Sequence, residues 1–142
     1  MIDVVVIGGG QAGLAASWHL ARRGIEHVVL ERGRVGETWR TERWDSFALN
    51  TPGWMNRLPG EAADLDPRDG FKSRDAWTAR LETYATDHDL PVRTGMSVTG
   101  VAAGRSPGTY LVTTADADGD TATIETRHVV LACGGQRAAK RP

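Results

Sequence analysis

The hydrophobic pattern near the start of the chain changes its period twice. Residues 4–7 form a continuous β-branched run that ends at glycine, which is typical of a buried parallel strand. From 11 to 23 the apolar residues recur at helical spacing, and 28–30 form a second apolar run. Strand, helix and strand within about thirty residues are typical of one βαβ unit. The sequence therefore predicts a parallel α/β layer at its start.

The segment 32–60 shows no sustained period. A stretch of this length without secondary structure is uncommon in a compact domain and usually has a function. The segment is also aromatic, with Trp39, Trp44, Phe47 and Trp54. We expect these rings to pack down onto the rest of the domain.

A second helix is predicted after this segment. Ser73 is a favourable N-cap residue, and the positions after it carry an apolar face at helical spacing. The helix is expected to end before Leu90-Pro91, since proline cannot continue it. The apolar face consists of Trp77, Leu81, Tyr84 and Ala85.

The remaining pattern predicts strands. Val92-Arg93 is a short candidate, and the runs 98–102, 110–114 and 123–126, separated by turn residues, indicate an antiparallel meander. The run 128–132 is uniformly apolar and predicts a separate last strand in the parallel layer. The predicted fold class is α/β: a Rossmann-type three-layer fold with a parallel sheet and an antiparallel β-meander.

Composition narrows the classes of function. The net charge is −1, so no basic surface for nucleic acid or an anionic membrane is indicated. No apolar run is long enough to cross a bilayer, and the cytoplasm is the expected compartment. Cys133 is the single cysteine, which excludes a CxxC pair within these residues. The four histidines lack metal-ligand spacing, so we predict no metal site, and no catalytic residue is evident.

The strongest chemical signal is the hexapeptide at 8–13, a GxGxxG motif between a predicted strand and a predicted helix. Gly8 permits the tight turn, Gly10 lets the backbone approach a pyrophosphate, and Gly13 lets the helix pack closely on the strand. The N–H groups at the helix N-terminus, at Gln11 and Ala12, favour phosphates. The alternative is a glycine-rich turn that binds no ligand.

Glu31 strengthens the dinucleotide interpretation. It stands 18 residues after Gly13, at the end of the second predicted strand, near the expected interval. Its carboxylate would accept hydrogen bonds from ribose hydroxyls and repel a 2′-phosphate, which favours FAD or NAD over NADP. Arg32 and Arg34 follow immediately. Arg32 is a further candidate cofactor contact, although a solvated pair of charges is the simpler interpretation.

Four segments together resemble the flavin-containing monooxygenase superfamily, in the order of that family's FAD-binding half. GxGxxG with Glu31 is shared by all two-dinucleotide flavoproteins. The segment 36–39, Gly-Glu-Thr-Trp, is similar to the narrower GGxW segment of that family, with Val35 in place of the first glycine. The four segments are VVVIGGGQAGLAAS at 4–17, VVLERG at 28–33, VGETW at 35–39 and VVLACGG at 129–135.

This resemblance implies further contacts with FAD. Thr38 and Trp39 would lie along the cofactor, with Trp39 near the flavin ring, and a core tryptophan is the alternative. Asn50 and Thr51 would supply polar contacts near the flavin, although Asn-Thr-Pro is also ordinary turn chemistry. The backbone of Val98 would touch the adenine, or Val98 is simply a core residue of a strand.

The segment 126–134 resembles the T-x-x-x-h-h-h-A-x-G ending of FAD domains, in which h is apolar. The small residues Ala132 and Gly134 would let the chain pass close to the cofactor. Cys133 stands where that ending usually has threonine. We interpret it as a buried structural thiol.

The resemblance also implies hydride transfer from NADPH and reaction of the reduced flavin with oxygen. Neither a second GxGxxG nor an FxGxxxH signature occurs in the 142 residues. We therefore expect residues 1–142 to be the FAD-binding domain of a monooxygenase-like protein, a fragment or truncated product that acts on a small-molecule substrate only with an NADPH domain. A non-catalytic FAD-binding module and half of a split FAD/NAD(P)-dependent reductase are the alternatives.

Overall fold

The computed structural model describes residues 1–62 and 70–135. It confirms the predicted βαβ unit, the second helix and the meander, and it adds two short helical turns within 32–60, where none was predicted. In chain order the elements are β1 (Ile2–Ile7), α1 (Gln11–Ala21), β2 (His27–Leu30), α2 (Glu37–Thr41), a 3₁₀ turn (Gly53–Met55), α3 (Arg74–Asp87), β3 (Val92–Arg93), β4 (Ser97–Ala103), β5 (Tyr110–Ala115) and β6 (Thr121–Leu131).

The strands form one mixed sheet of six, in the order β3-β2-β1-β6-β5-β4. β1 lies between β2 and β6 and is parallel to both, and β3 is parallel to β2. The β4-β5-β6 portion is antiparallel throughout. The predicted α/β class with a parallel layer and an antiparallel meander is confirmed.

The prediction of two separate strands within 123–132 is wrong. Residues 121–131 form the single strand β6, whose first half pairs antiparallel with β5 and whose second half pairs parallel with β1. No glycine or proline interrupts the chain at the change of partner, so the backbone stays extended. Arg127, at this junction, points outward and donates to Asp3 Oδ1 at 3.2 Å.

Both faces of β1 and β2 are covered, which explains their continuous apolar runs. Val4, Val6 and Val29 face the helical layer, where Leu20 of α1 packs against them. The alternate positions face the meander and pack with Val112 of β5. Although all six strands are hydrogen-bonded in one sheet, the meander part packs over β1 and β2 and so forms a third layer beside the helices and the parallel strands.

Helix α3 forms as predicted, and it packs beside α1 in the helical layer. The Ser73 hydroxyl accepts a hydrogen bond from the Ala76 N–H at 3.2 Å and caps the helix. Leu81 and Trp77 are almost fully buried and pack in one cluster with Leu14 of α1. No helix within residues 1–62 and 70–135 is long and apolar enough to cross a membrane.

The expected burial of the aromatic segment holds for only some of its rings. Phe47 is buried and Trp39 is half-buried against the helical core. Trp44 and Trp54, in contrast, are 65% and 58% exposed. Trp44 touches Phe47 edge-on from outside, and Trp54 lies in the 3₁₀ turn at the surface. Aromatic content alone does not specify which side of an irregular segment each ring occupies.

Candidate dinucleotide site at the carboxyl ends of the parallel strands

A cavity of about 590 Å³ lies where β1, β2 and β6 end. This volume falls within the roughly 300–1,000 Å³ of small-molecule sites, and the carboxyl edge of a parallel sheet is where α/β folds bind ligands. Eleven of the fourteen candidate residues line the cavity: Gly8, Gly10, Gln11, Ala12, Glu31, Arg32, Thr38, Trp39, Val98, Ala132 and Gly134.

Gly8 and Gly13 are required by the protein itself. Gly8 has a φ of +113°, a conformation that side chains rarely adopt. A Cβ on Gly13 would overlap the carbonyl oxygen of Gly8, since the first turn of α1 lies directly on the loop. The predicted tight turn and close helix packing are both confirmed. Gly13 therefore supports the site from behind the cavity lining.

Gly10 differs from both. Its φ of −86° and ψ of −172° are ordinary extended values that any residue can adopt. A Cβ built on Gly10 would have no heavy atom within 4 Å, and the residue lines the cavity. Packing within the protein does not demand glycine here, so the open space belongs to the cavity.

The Glu31 carboxylate joins the glycine loop, residues 8–13, to the end of β2. Oε2 accepts the N–H of Gly9 at 2.7 Å, and Oε1 accepts the N–H of Gly33 at 2.9 Å. Each carboxylate oxygen retains a further acceptor position. Glu31 can therefore hold the loop and still accept hydrogen bonds from a ligand.

Gly9 also connects the loop to the segment that carries Thr38 and Trp39. Its carbonyl accepts the N–H of Gly36 at 3.1 Å. Gly36 is the N-cap of α2, with a left-handed φ of +70°. This hydrogen bond brings the start of α2 beside the glycine loop, which places Thr38 and Trp39 on the same cavity.

Glu37 is held by a two-pronged ion pair. Arg34 donates through Nε and Nη2 to the two carboxylate oxygens, at 2.8 and 2.9 Å, and through its backbone N–H. The hydrogen bonds from the Arg34 side chain, then from its backbone, lower the pKa of Glu37 to about 2. Arg34 is thus engaged at the surface, whereas Arg32 lines the cavity 3.8 Å from Glu42.

The meander side supplies a further wall. The N–H of Met96 donates to the Glu31 carbonyl at 2.9 Å, which brings the start of β4 to the end of β2. Val98 packs in the core between sheet and meander and also lines the cavity. Its two predicted roles are therefore compatible.

The interpretation of Cys133 as a buried thiol is wrong. Cys133 is exposed and lines the cavity. The reason lies in β6, whose last sheet pairing is at Leu131. Leu131 is itself 73% exposed, and Cys133 follows beyond the covered part of the sheet.

Besides Gly13, the candidate residues Asn50 and Thr51 lie outside this cavity lining. Asn50 is exposed, and the Thr51 hydroxyl donates to Asn56 Oδ1 at 2.6 Å within a local turn. The Asn56 amide in turn donates to the Thr51 carbonyl at 2.9 Å. Contacts of Asn50 and Thr51 with a cofactor stay predictions.

Sequence reasoning missed several residues that shape the site. Gly9 occupies a variable position of the motif, and its role depends on where the Glu31 carboxylate lies. Glu42 and Arg43 belong to a segment without periodicity. Their position between Trp39 and Trp44 is a signal that could have indicated a role in the site. In residues 1–62 and 70–135, no group of three or more His, Cys, Asp or Glu is placed to hold a metal ion.

Comparison with known proteins gives a consistent result. Residues 5–141 match the family described as pyridine nucleotide-disulphide oxidoreductase. An uncharacterized CzcO-like oxidoreductase of Geobacillus kaustophilus is 38% identical over 99 residues, 69% of this chain and 28% of the relative. The probable indole-3-pyruvate monooxygenase YUCCA1 of Arabidopsis thaliana is 31% identical over 114 residues, 79% of this chain and 27% of the relative. The chain thus spans less than a third of these relatives.

Among solved structures, a flavin-containing monooxygenase from Stenotrophomonas maltophilia superposes with a TM-score of 0.80 and 29% identity. The match covers 99% of this chain and 41% of that one. Together with the curated relatives, it confirms the predicted resemblance to the flavin-containing monooxygenase superfamily.

Proposed function

This chain belongs to the pyridine nucleotide-disulphide oxidoreductase family, and on that basis we propose that it is the FAD-binding part of a flavin-dependent, NADPH-using monooxygenase-like oxidoreductase. One observation carries the proposal. The glycine loop, the N-terminus of α1 and the Glu31 carboxylate all border one cavity at the carboxyl edge of the sheet. This arrangement suits a nucleotide that offers phosphates and a ribose at adjacent positions.

The residues fit FAD at two points. The free N–H groups of the first turn of α1 suit a diphosphate, and Gly10 leaves the space above that turn open. The remaining acceptor positions of Glu31 suit the ribose hydroxyls of adenosine. When bound, FAD supplies the redox chemistry, while the chain binds and orients it.

The monooxygenase branch is favoured over disulfide reduction, because the segment 36–39 resembles the GGxW segment of the monooxygenases and the similar flavin-containing monooxygenase is 29% identical. Residues 1–142 contain one cysteine, Cys133, and so hold no dithiol pair of their own. The substrate we propose is a small molecule.

A flavin-binding comparison tests the proposal. The purified chain is titrated with FAD, FMN and riboflavin, with binding followed by flavin fluorescence. We expect FAD to bind at least about tenfold more tightly than FMN, because FMN lacks the adenosine ribose and the second phosphate and forgoes roughly 1.4 kcal/mol or more. Equal affinities for FAD and FMN would contradict the proposal, since Glu31 and the α1 N-terminus would then contribute nothing.

A further inference from the structure

Five ionised side chains line the cavity, and four of them are already engaged. Glu31 accepts two backbone N–H groups, Glu37 is paired with a surface arginine, and Arg32 faces Glu42 at 3.8 Å. Arg43 is different. Its Nη1 donates to the Glu42 carbonyl at 2.9 Å, but within the described parts of the chain no carboxylate forms a salt bridge with it.

The position of Arg43 is fixed by aromatic rings. Its guanidinium carbon lies 5.4 Å from the ring centre of Trp39 and 5.5 Å from that of Phe47. Phe47 is buried in the helical core, and Trp39 lines the cavity. Cation–π contacts of this kind hold a guanidinium without neutralising its charge. A fixed positive charge therefore stands at the cavity wall.

A diphosphate needs such a charge. It carries about two negative charges, and a helix N-terminus offers the equivalent of only about half a positive one. The first turn of α1, residues 11–14, has no basic side chain, and its N-cap Gly10 has no side chain at all. The first turn of α1 therefore cannot balance the charge of a diphosphate alone, and a positive side chain from another element has to contribute.

We infer that Arg43 is the counter-ion of the diphosphate in this cavity, an inference that rests on the proposed function. The segment that carries Arg43 starts beside the glycine loop, where the Gly36 N–H binds the Gly9 carbonyl. Arginine presents several N–H donors in a planar fork that matches phosphate oxygens. Arg43 thereby positions the ligand and takes no part in chemistry.

The test compares Arg43→Gln and Arg43→Lys with the parent chain, using FAD, ADP and adenosine as probes. Arg43→Gln should weaken FAD and ADP by a similar factor of at least tenfold and leave adenosine unchanged. Arg43→Lys keeps the positive charge and should therefore lose less affinity for FAD and ADP than Arg43→Gln. The affinity of the parent for ADP should fall more steeply with added salt than that of Arg43→Gln, because one ionic contact is missing in the variant.

Arg22→Gln is the matched control. Arg22 also stacks on a tryptophan, 5.4 Å from the centre of the Trp18 ring, but it lies outside the cavity lining. Its loss should leave FAD and ADP affinity unchanged, and urea unfolding should show all variants folded.

The outcomes separate the two proposals. Unchanged binding of FAD and ADP by Arg43→Gln would overturn the inference and leave the proposed function standing. Weaker FAD with unchanged ADP would also overturn it, because the charge would then serve the flavin and not the diphosphate. A parent chain that binds no FAD would overturn both.

Discussion

The amide nitrogen of Gly9 donates to Oε2 of Glu31 at 2.7 Å, across 22 positions of the sequence. A Cβ on Gly9 would lie 2.9 Å from the Cβ of Glu31, so the two backbones approach closely. Because Glu31 also accepts the Gly33 N–H, the acidic residue organises the loop before any ligand arrives. Glu31 therefore has a structural role beside its proposed role in ribose recognition.

The first prediction concerns both roles of Glu31. Glu31→Ala removes the acceptor of two part-buried N–H groups and should lower the free energy of unfolding by about 1–3 kcal/mol. It should weaken FAD by a further 1–3 kcal/mol, approximately, through the lost ribose contact. Urea unfolding without ligand and FAD titration measure the two effects separately.

Glu26→Gln is the control for this prediction, since Glu26 is exposed and should change neither quantity. Glu31→Gln should lie between the parent and Glu31→Ala in both quantities, because its amide keeps one acceptor but turns a donor toward the other N–H. If Glu31→Ala is as stable as the parent, the carboxylate does not organise the loop.

The second prediction separates two glycines of the same motif. Gly10→Val should fold with parental stability, since its Cβ meets no protein atom within 4 Å, but it should abolish FAD binding by filling the cavity. Gly13→Ala should instead destabilise the ligand-free protein, because its Cβ overlaps the Gly8 carbonyl. Thermal unfolding and FAD titration of both variants provide the measurement.

Gly100→Val serves as the control for Gly10→Val. Gly100 lies on β4 with no heavy atom within 4 Å of a built Cβ, and it is outside the cavity lining. Parental FAD affinity in Gly10→Val would show that the open space above α1 is not the phosphate site.

The third prediction concerns pH. The pKa of Glu37 is lowered from 4.5 to about 2 in the folded state, so its stabilising contribution is present above pH 4.5 and is lost as the pH falls toward 2. Since Arg34 is exposed, we expect the contribution of Glu37 to the free energy of unfolding to be about 1 kcal/mol or less at neutral pH. Urea unfolding between pH 2 and 7 should show the parent more stable than Glu37→Gln at neutral pH, with the difference vanishing near pH 2.

A difference between parent and Glu37→Gln that is the same at every pH would contradict this prediction. In that case the substitution would act through packing, for example against the backbone of Gly33, which the Glu37 side chain approaches so closely that a Cβ added at Gly33 would overlap it.

The fourth prediction is that the 142-residue chain loaded with FAD does not oxidise NADPH at an enzymatic rate. Hydride transfer requires the nicotinamide to be held against the flavin, and this positioning accounts for several kcal/mol of the barrier. GxGxxG occurs once in these residues, at 8–13, and the proposed function assigns it to FAD. NADPH consumption is followed by absorbance, with free FAD as control. Substrate-dependent turnover by this chain would contradict the prediction, because it would show that these 142 residues also hold the nicotinamide and the substrate.

The sequence alone determined the local elements and the class of fold. Continuous apolar runs indicated the buried parallel strands. Ser73 marked the start of α3, because capping is a local interaction. GxGxxG and Glu31 were recognisable for the same reason, since their spacing follows from the length of one βαβ unit. The residues of this motif, together with those that the family resemblance implied, include the eleven candidates that line one cavity.

Only the tertiary structure decided which strands pair, which side chains are exposed and where the charged groups lie. That β6 is one strand with two kinds of neighbour depends on the positions of β1 and β5, and neither leaves a signal between Thr126 and His128. Cys133 is exposed because β6 makes its last sheet pairing before it, at Leu131. Arg43 lies over Trp39 because of the way the segment 32–60 folds, which its sequence pattern does not show. Local sequence specifies backbone conformation through short-range interactions, whereas burial and charge pairing arise between residues that the fold brings together.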